Sequence, residues 1–228
     1  MGLGVSLLRD IAALKQSGVL EDCHRVVEIG AQQINDRSIV SPFLDKMARI
    51  FGVAKPDFAP VGSLQITPTS PPGRLLWNAL GMESQSVDIE GGDIAIDLNK
   101  GEVPPRYRGA FDLAINAGTT EHVANQGNAS GAIHELVRVG GLMYHELPAY
   151  GHADHGFFGY QPKFLWRLAE ANNYDIVLFH FTPNTDFPFP DYLREKFRKV
   201  FAHQFRKLPA RRLASQHLAC RERFRVRR

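Results

Sequence analysis

Residues 111–123 read Phe111-Asp-Leu-Ala-Ile-Asn-Ala-Gly-Thr-Thr-Glu-His-Val123. Phe111, Leu113 and Ile115 alternate with small or polar residues, the period of a buried strand. Asn116-Ala-Gly-Thr-Thr120 then supplies turn chemistry that cannot continue the strand. Glu121 and His122 follow, where a helix can start. Open α/β sheets build ligand sites by delivering such residues at the C-terminal ends of strands.

Toward the N-terminus, Arg25-Val-Val-Glu-Ile-Gly30 predicts a strand closed by a glycine that lets the backbone turn tightly beside a ligand. Before it, residues 5–17 put Leu7, Leu8, Ile11, Ala12 and Leu14 on one helical face, with Gly18 as a stop. Ser41-Pro42 reads as an N-cap and first helical position, and Gly52 ends that helix. Residues 54–73 hold five prolines and form an irregular segment, too long for a simple connection and a candidate lid or wall. After a short helix from Arg74 to Leu80, Gln85–Glu90 is a second strand. It ends in Asp88, placed to accept both hydroxyls of a ribose. Ile94–Asn99 is a third strand, with Asp97 able to accept a proton from an exocyclic amine.

Toward the C-terminus, Ala132, Ile133, Leu136 and Val137 mark a short helix stopped by Gly140-Gly141. Leu142–Leu147 is the fifth strand. Residues 149–160, rich in Gly and His, would lie over the sheet's C-terminal edge. A helix starts at Gln161-Pro162, and Tyr174–Phe181 is an apolar sixth strand. Leu193, Phe197, Val200, Phe201, Phe205 and Leu208 give an amphipathic helix with a basic outer face, and residues 216–224 a seventh strand.

The chain has 228 residues, 44% hydrophobic and 22% charged, which suits one α/β domain. Residues 192–228 carry 13 Lys+Arg and 2 Asp+Glu, a local charge of +11 against −8 for the remainder. That basic helix and last strand read first as a solvated face and edge, second as a surface for nucleic acid. Two cysteines, Cys23 and Cys220, make no disulfide framework and point to a reducing compartment. With no signal-peptide pattern and no apolar run of membrane-spanning length, the expectation is a cytoplasmic chain without a membrane span. Its oligomeric state is left open.

The order of these parts resembles a class I S-adenosylmethionine-dependent methyltransferase, of the bacterial polysaccharide or secondary-metabolite type. The resemblance rests on Val26-Val-Glu-Ile-Gly30, Asp88, Asp97-Leu-Asn99, Phe111–Asn116, Glu121-His122-Val123, Gly140-Gly141-Leu142 and His155-Gly-Phe-Phe-Gly-Tyr-Gln-Pro162. It implies a Rossmann-like three-layer α/β sandwich: a mostly parallel seven-stranded sheet with an antiparallel C-terminal strand. It implies one domain over residues 1–228, with the cofactor-binding core in 20–181. Glu28, Gly30 and Ala31 would line the methionine side of S-adenosylmethionine. Asp88 and Ile89 would meet the ribose, Asp97 and Leu98 the adenine, and Asn116, Ala117 and Gly118 would form the floor near the sulfonium. Gln32 and Gln33 depart from the pattern, standing where the family carries further glycines. A nicotinamide oxidoreductase is disfavoured because the phosphate-cradling glycines are missing.

Methyl transfer to an oxygen needs the acceptor's proton removed, work suited to histidine. His122 and His155, with Glu121 beside them, are the preferred catalytic residues; His145, inside a strand, is a weaker candidate. The order Glu121-His122 and Asp154-His155-Gly-Phe157 is also similar to the metal-binding pattern of small-RNA 2′-O-methyltransferases. That pattern has a further Glu three residues before the pair, where Gly118 stands here. A divalent metal is therefore the less favoured reading, although a carboxylate and two imidazoles suit one. The expected reaction is O-methylation of a small molecule or sugar. The alternatives are an RNA methyltransferase using the basic segment and a non-catalytic Rossmann-like binding protein.

Overall fold

Neighbouring valines on one strand face opposite ways: Val26 packs into one hydrophobic core and Val27 into another. A strand buried on both faces requires layers above and below it. The computed structural model describes residues 2–35, 37–54, 71–149, 152, 154–181 and 220–226. The elements run α1 (Val5–Gln16), β1 (Arg25–Ile29), α2 (Arg37–Phe51), α3 (Gly73–Ala79), β2 (Glu83–Asp88), β3 (Ile94–Ala95), β4 (Phe111–Ala117), α4 (Gln126–Leu136), β5 (Val137–Glu146), α5 (Pro162–Ala171), β6 (Tyr174–Phe181) and β7 (Cys220–Val226).

Five strands are parallel, in the order β3-β2-β1-β4-β5. The α/β class and the parallel core expected from the sequence are thus present. Beyond β5, β7 pairs antiparallel with both β5 and β6. One core holds α1, α2 and α3 against the sheet, through Leu7, Leu8, Ile11, Leu44, Met47, Leu76 and Trp77. The other holds α4 and α5, through Ala129, Ile133, Leu136, Leu165 and Ala169. Alternation along β4 serves both: Leu113 and Ile115 face the first core, Ala114 the second.

Some boundaries differ from the sequence expectation, each for a local reason. α2 begins at Arg37, so Pro42 lies inside it rather than at its start. An interior proline removes one backbone hydrogen bond, and the packing of Leu44, Met47 and Ala48 holds the helix regardless. β3 is only two residues long. Asp97 ends it by accepting from the Asn99 backbone N–H at 2.9 Å, a turn that curls the chain out of the sheet. α4 starts earlier than expected because Asn125 caps it, accepting from the Asn128 N–H at 3.1 Å. It runs directly into β5, with Gly140 and Gly141 inside the strand rather than before it. Gly141 has no room for a side chain: a Cβ there would lie 2.6 Å from Val137 Cγ1.

Residues 55–70 of the proline-rich segment and residues 182–219, which include the basic amphipathic helix, lie outside the described residues. So do 150, 151 and 153 of the Gly/His loop. Among the described residues no helix is long and apolar enough to cross a membrane.

Candidate functional site

The strand order reverses between β1 and β4, and such a switch point leaves a crevice beyond the C-terminal strand ends. Register aligns those ends: Ile29 pairs with Val87 on one side and with Asn116 on the other. Beyond them lies a cavity of about 360 Å³, within the range of small-molecule sites.

Of the residues predicted to bind a cofactor, Gly30, Ala31, Asp88, Ile89, Asp97, Leu98 and Gly118 line this cavity, and so does His122. Gly30 is needed twice over. Its φ is +78°, and a Cβ there would lie 2.5 Å from Thr119 Oγ1. Asp88 accepts from the Ala31 N–H at 2.9 Å and from its own neighbour Ile89 at 2.7 Å. A carboxylate offers about four acceptor positions, so two remain for a ligand. Ile89 is unusually exposed for its type, at 64%. Asp97 likewise accepts two, from the Asn99 backbone and side chain on one oxygen, which hold its carboxyl below the usual range.

Three predicted residues stand behind the cavity rather than in it. Glu28 is 2% exposed. Trp77 Nε1 donates to its Oε1 at 2.7 Å, and the Gln32 N–H donates to its Oε2 at 3.2 Å. Burial outweighs these bonds and pushes its carboxyl up to about 8. Ala117 is buried in the first core. Asn116 orders the turn after β4: its Oδ1 accepts from the Thr120 N–H, and its Nδ2 donates to Thr120 Oγ1 at 2.8 Å. That assignment points the amide nitrogen at His145 Nδ1, 3.1 Å away, so Nδ1 accepts. Burial drives the His145 pKa down to about 4, consistent with a neutral ring. His145 lines a second cavity of about 400 Å³, shared with Asn116, Thr120, Tyr160 and Leu165.

The sequence reading missed Gln32 and Thr119 as parts of the wall. The Gln32 side chain donates to the Ile29 carbonyl at 2.8 Å and to Thr119 Oγ1 at 3.0 Å. Thr119 in turn donates to the same Ile29 carbonyl at 2.6 Å. Side-chain amide and hydroxyl thus brace a turn that the family pattern builds with glycines. The available signal was the pairing of a polar residue two past Gly30 with a hydroxyl one past Gly118. Asn99 ties the far wall down, accepting from the Ala124 and Asn125 N–H groups at 2.9 and 3.2 Å.

The three predicted catalytic residues come together beside the cavity, which His122 lines. Glu121 and His122 sit on the short 3₁₀ turn after β4. His155 reaches them from the Gly/His loop because the Phe157 and Phe158 N–H groups donate to the Glu121 carbonyl at 2.8 and 3.2 Å. His155 Nε2 is 3.5 Å and His122 Nε2 3.9 Å from Glu121 Oε1, and the two rings meet edge-on with centroids 5.1 Å apart.

No family model and no curated protein matches the chain. Among solved structures it is similar to a SAM-dependent methyltransferase from Archaeoglobus fulgidus: 11% identity, 95% of this chain and 92% of that one covered, TM-score 0.41. It is also similar to a putative S-adenosyl-L-methionine-dependent methyltransferase from Methanococcus maripaludis, at 9% identity with 97% and 92% covered and a TM-score of 0.33. A third is the YcgJ protein from Bacillus subtilis, at 10% identity with 93% and 95% covered and a TM-score of 0.36. At such identities the chemistry has to be argued from this chain's own site.

Proposed function

We propose that this chain, as a single domain over residues 1–228, is an S-adenosylmethionine-dependent methyltransferase acting on an oxygen of a small molecule or sugar. The observation that carries the reading is the cavity at the switch point. A carboxylate with spare acceptor positions, Asp88, stands at its β2 end, and the imidazole of His122 stands at its β4 end. Asp88 would hold the ribose hydroxyls. Ile89, Ile96 and Leu98 offer apolar surface for the adenine, and the Gly30 turn lets the methionine end approach the backbone. The cofactor supplies an electrophilic methyl on a cationic sulfur.

The protein's share of the work is alignment and proton handling. Holding acceptor and donor in line is worth about 7–11 kcal/mol in favourable cases. His122, which lines the cavity, and His155 beside it are the groups suited to the acceptor hydroxyl's proton. The Gly/His loop 149–160 and the segment 54–73 would enclose the acceptor.

The test is calorimetric titration with S-adenosylmethionine and S-adenosylhomocysteine. Saturable binding by the intact chain, weakened in Asp88→Asn and retained in His155→Ala, supports the reading. No heat up to millimolar ligand would overturn it.

A further inference from the structure

Glu121 is fully buried, yet among the described residues neither of its carboxylate oxygens has a hydrogen-bond partner. A buried carboxylate in that condition is costly and calls for a compensating charge. The closest candidates are two imidazoles at 3.5 and 3.9 Å, beyond ordinary hydrogen-bond length. One donor atom each from Glu121, His122 and His155 lies within 4.8 Å of the other two. An ion bonded at about 2.0–2.2 Å to nitrogen and oxygen sets its ligands roughly 3–3.5 Å apart, so a small inward movement closes the set.

The geometry points to a metal site: we infer that Glu121, His122 and His155 bind one divalent first-row cation of the imidazole-preferring kind, such as Zn2+ or Co2+, beside the cavity that His122 lines. Two nitrogens and one carboxylate favour such an ion over Mg2+ or Ca2+, which take all-oxygen sets. Three protein ligands leave at least one position open. His122 lines the cavity, so that position is reachable from the space where an acceptor would lie. The site is also held together from behind. The two N–H groups on the Glu121 carbonyl fix the loop that carries His155. Gly156 packs so closely there that a Cβ would lie 2.9 Å from that same oxygen. Gly118 adds no ligand, so the donor set is this chain's own.

Ion binding rests on the cluster itself. Only its consequence rests on the methyl-transfer reading: a hydroxyl on the ion would be acidified, and the imidazoles would serve as ligands rather than as bases.

The experiment strips the full-length protein with a chelator, dialyses it and titrates it with Co2+. Visible absorption and metal content per chain are followed, and S-adenosylhomocysteine affinity is measured on the same samples. The expected result is one Co2+ per chain, displaced by Zn2+ and indifferent to millimolar Mg2+. Glu121→Gln and His155→Ala should each weaken binding by about 100-fold, the upper end of what disturbing even a ligand's support costs. His134→Ala, remote from the cluster, should bind as the parent does. His155 is on an exposed stretch, so His155→Ala tests the site even if Glu121→Gln fails to fold. No Co2+ uptake at millimolar concentration, unchanged affinity in His155→Ala, or ready displacement by Mg2+ would overturn the inference. Co2+ without S-adenosylhomocysteine binding would sink the methyl-transfer reading and leave the metal site standing; the reverse result would do the opposite.

Discussion

The stability of this protein should fall as pH rises through neutrality, and Glu28 should be the reason. Its carboxyl is raised from 4.5 to about 8 by burial, against the pull of the Trp77 and Gln32 donors. Between those two values the folded state keeps a proton that the unfolded chain has already released. The unfolded state then binds fewer protons, so unfolding becomes easier with each pH step. The full effect, reached above about 8, has a ceiling of roughly 5 kcal/mol at 1.36 kcal/mol per unit. Glu28 dominates the window from pH 6.5 to 8.5: His145, lowered to about 4 by burial, and the Cys23 thiol, pushed up to about 12, contribute there only through the unfolded chain, with opposite signs and about 0.2–0.4 kcal/mol each. Integrated across that window, the loss is about 2 kcal/mol, or roughly 4–8 °C in melting temperature for a chain of this length.

Glu28→Gln removes the titration and little else. The amide oxygen can still accept from Trp77 Nε1, while the amide nitrogen faces the Gln32 N–H and forfeits that bond. The variant should start about 1 kcal/mol less stable at pH 6.5 and then stay level while the parent declines, so that the two curves cross. Thermal melts followed by circular dichroism at several pH values in one ionic strength give both curves. Parallel slopes would refute the claim that Glu28 is protonated near neutrality.

Three further outcomes are expected. On the acid side, the neutral His145 ring makes stability fall as pH drops from 6.5 toward 4, by about 3 kcal/mol in all, and a His145→Leu variant should lose that slope in the same melts. Gly30→Ala forces a side chain into positive φ and onto Thr119 Oγ1. It should cost about 2–4 kcal/mol and abolish S-adenosylhomocysteine binding in calorimetry; a variant that melts and binds like the parent would dismiss the close approach. Gly156→Ala should leave the melting temperature within about 2 °C, since the loop is exposed. By pushing the loop off the Glu121 carbonyl it should weaken Co2+ binding at least tenfold.

The parallel core was legible because its signals are local. Val26, Val27 and Ile29, or Leu113, Ala114 and Ile115, are apolar runs that only a doubly covered strand explains. The strand-end residues Gly30, Asp88 and Gly118 were legible for the same reason: each follows its strand directly. Harder to read were side-chain partners distant in sequence, although Glu121, His122 and His155 do meet as expected. Nothing near Glu28 announces Trp77, 49 residues on, whose indole claims the carboxylate and takes it out of the cavity. β3 stopped early because Asp97 Oδ1 accepts from the Asn99 backbone and side chain, a turn its strand-like flanks conceal.

Gln32 and Glu121 show how the same limit affects function. Missing glycines after Gly30 read as a defect, yet the Gln32 amide and the Thr119 hydroxyl converge on one carbonyl, Ile29, and stiffen the turn from both sides. A turn braced by side chains gives up adaptability and keeps its shape without ligand, which lowers the ordering cost of binding. Glu121 reverses the relation between sequence and cost. Its position after β4 marks it as a site residue, but nothing local announces that the fold buries it completely and that, among the described residues, its oxygens have no donor. A buried carboxyl group without a hydrogen-bond partner is destabilising. The loop that covers it also delivers His155 to within 3.5 Å. Burial and approach therefore come from one structural event, the docking of the Phe157 and Phe158 N–H groups on the Glu121 carbonyl. A cation bridging Glu121 to His155 would strengthen that docking, so metal binding and closure of the acceptor side should be thermodynamically linked.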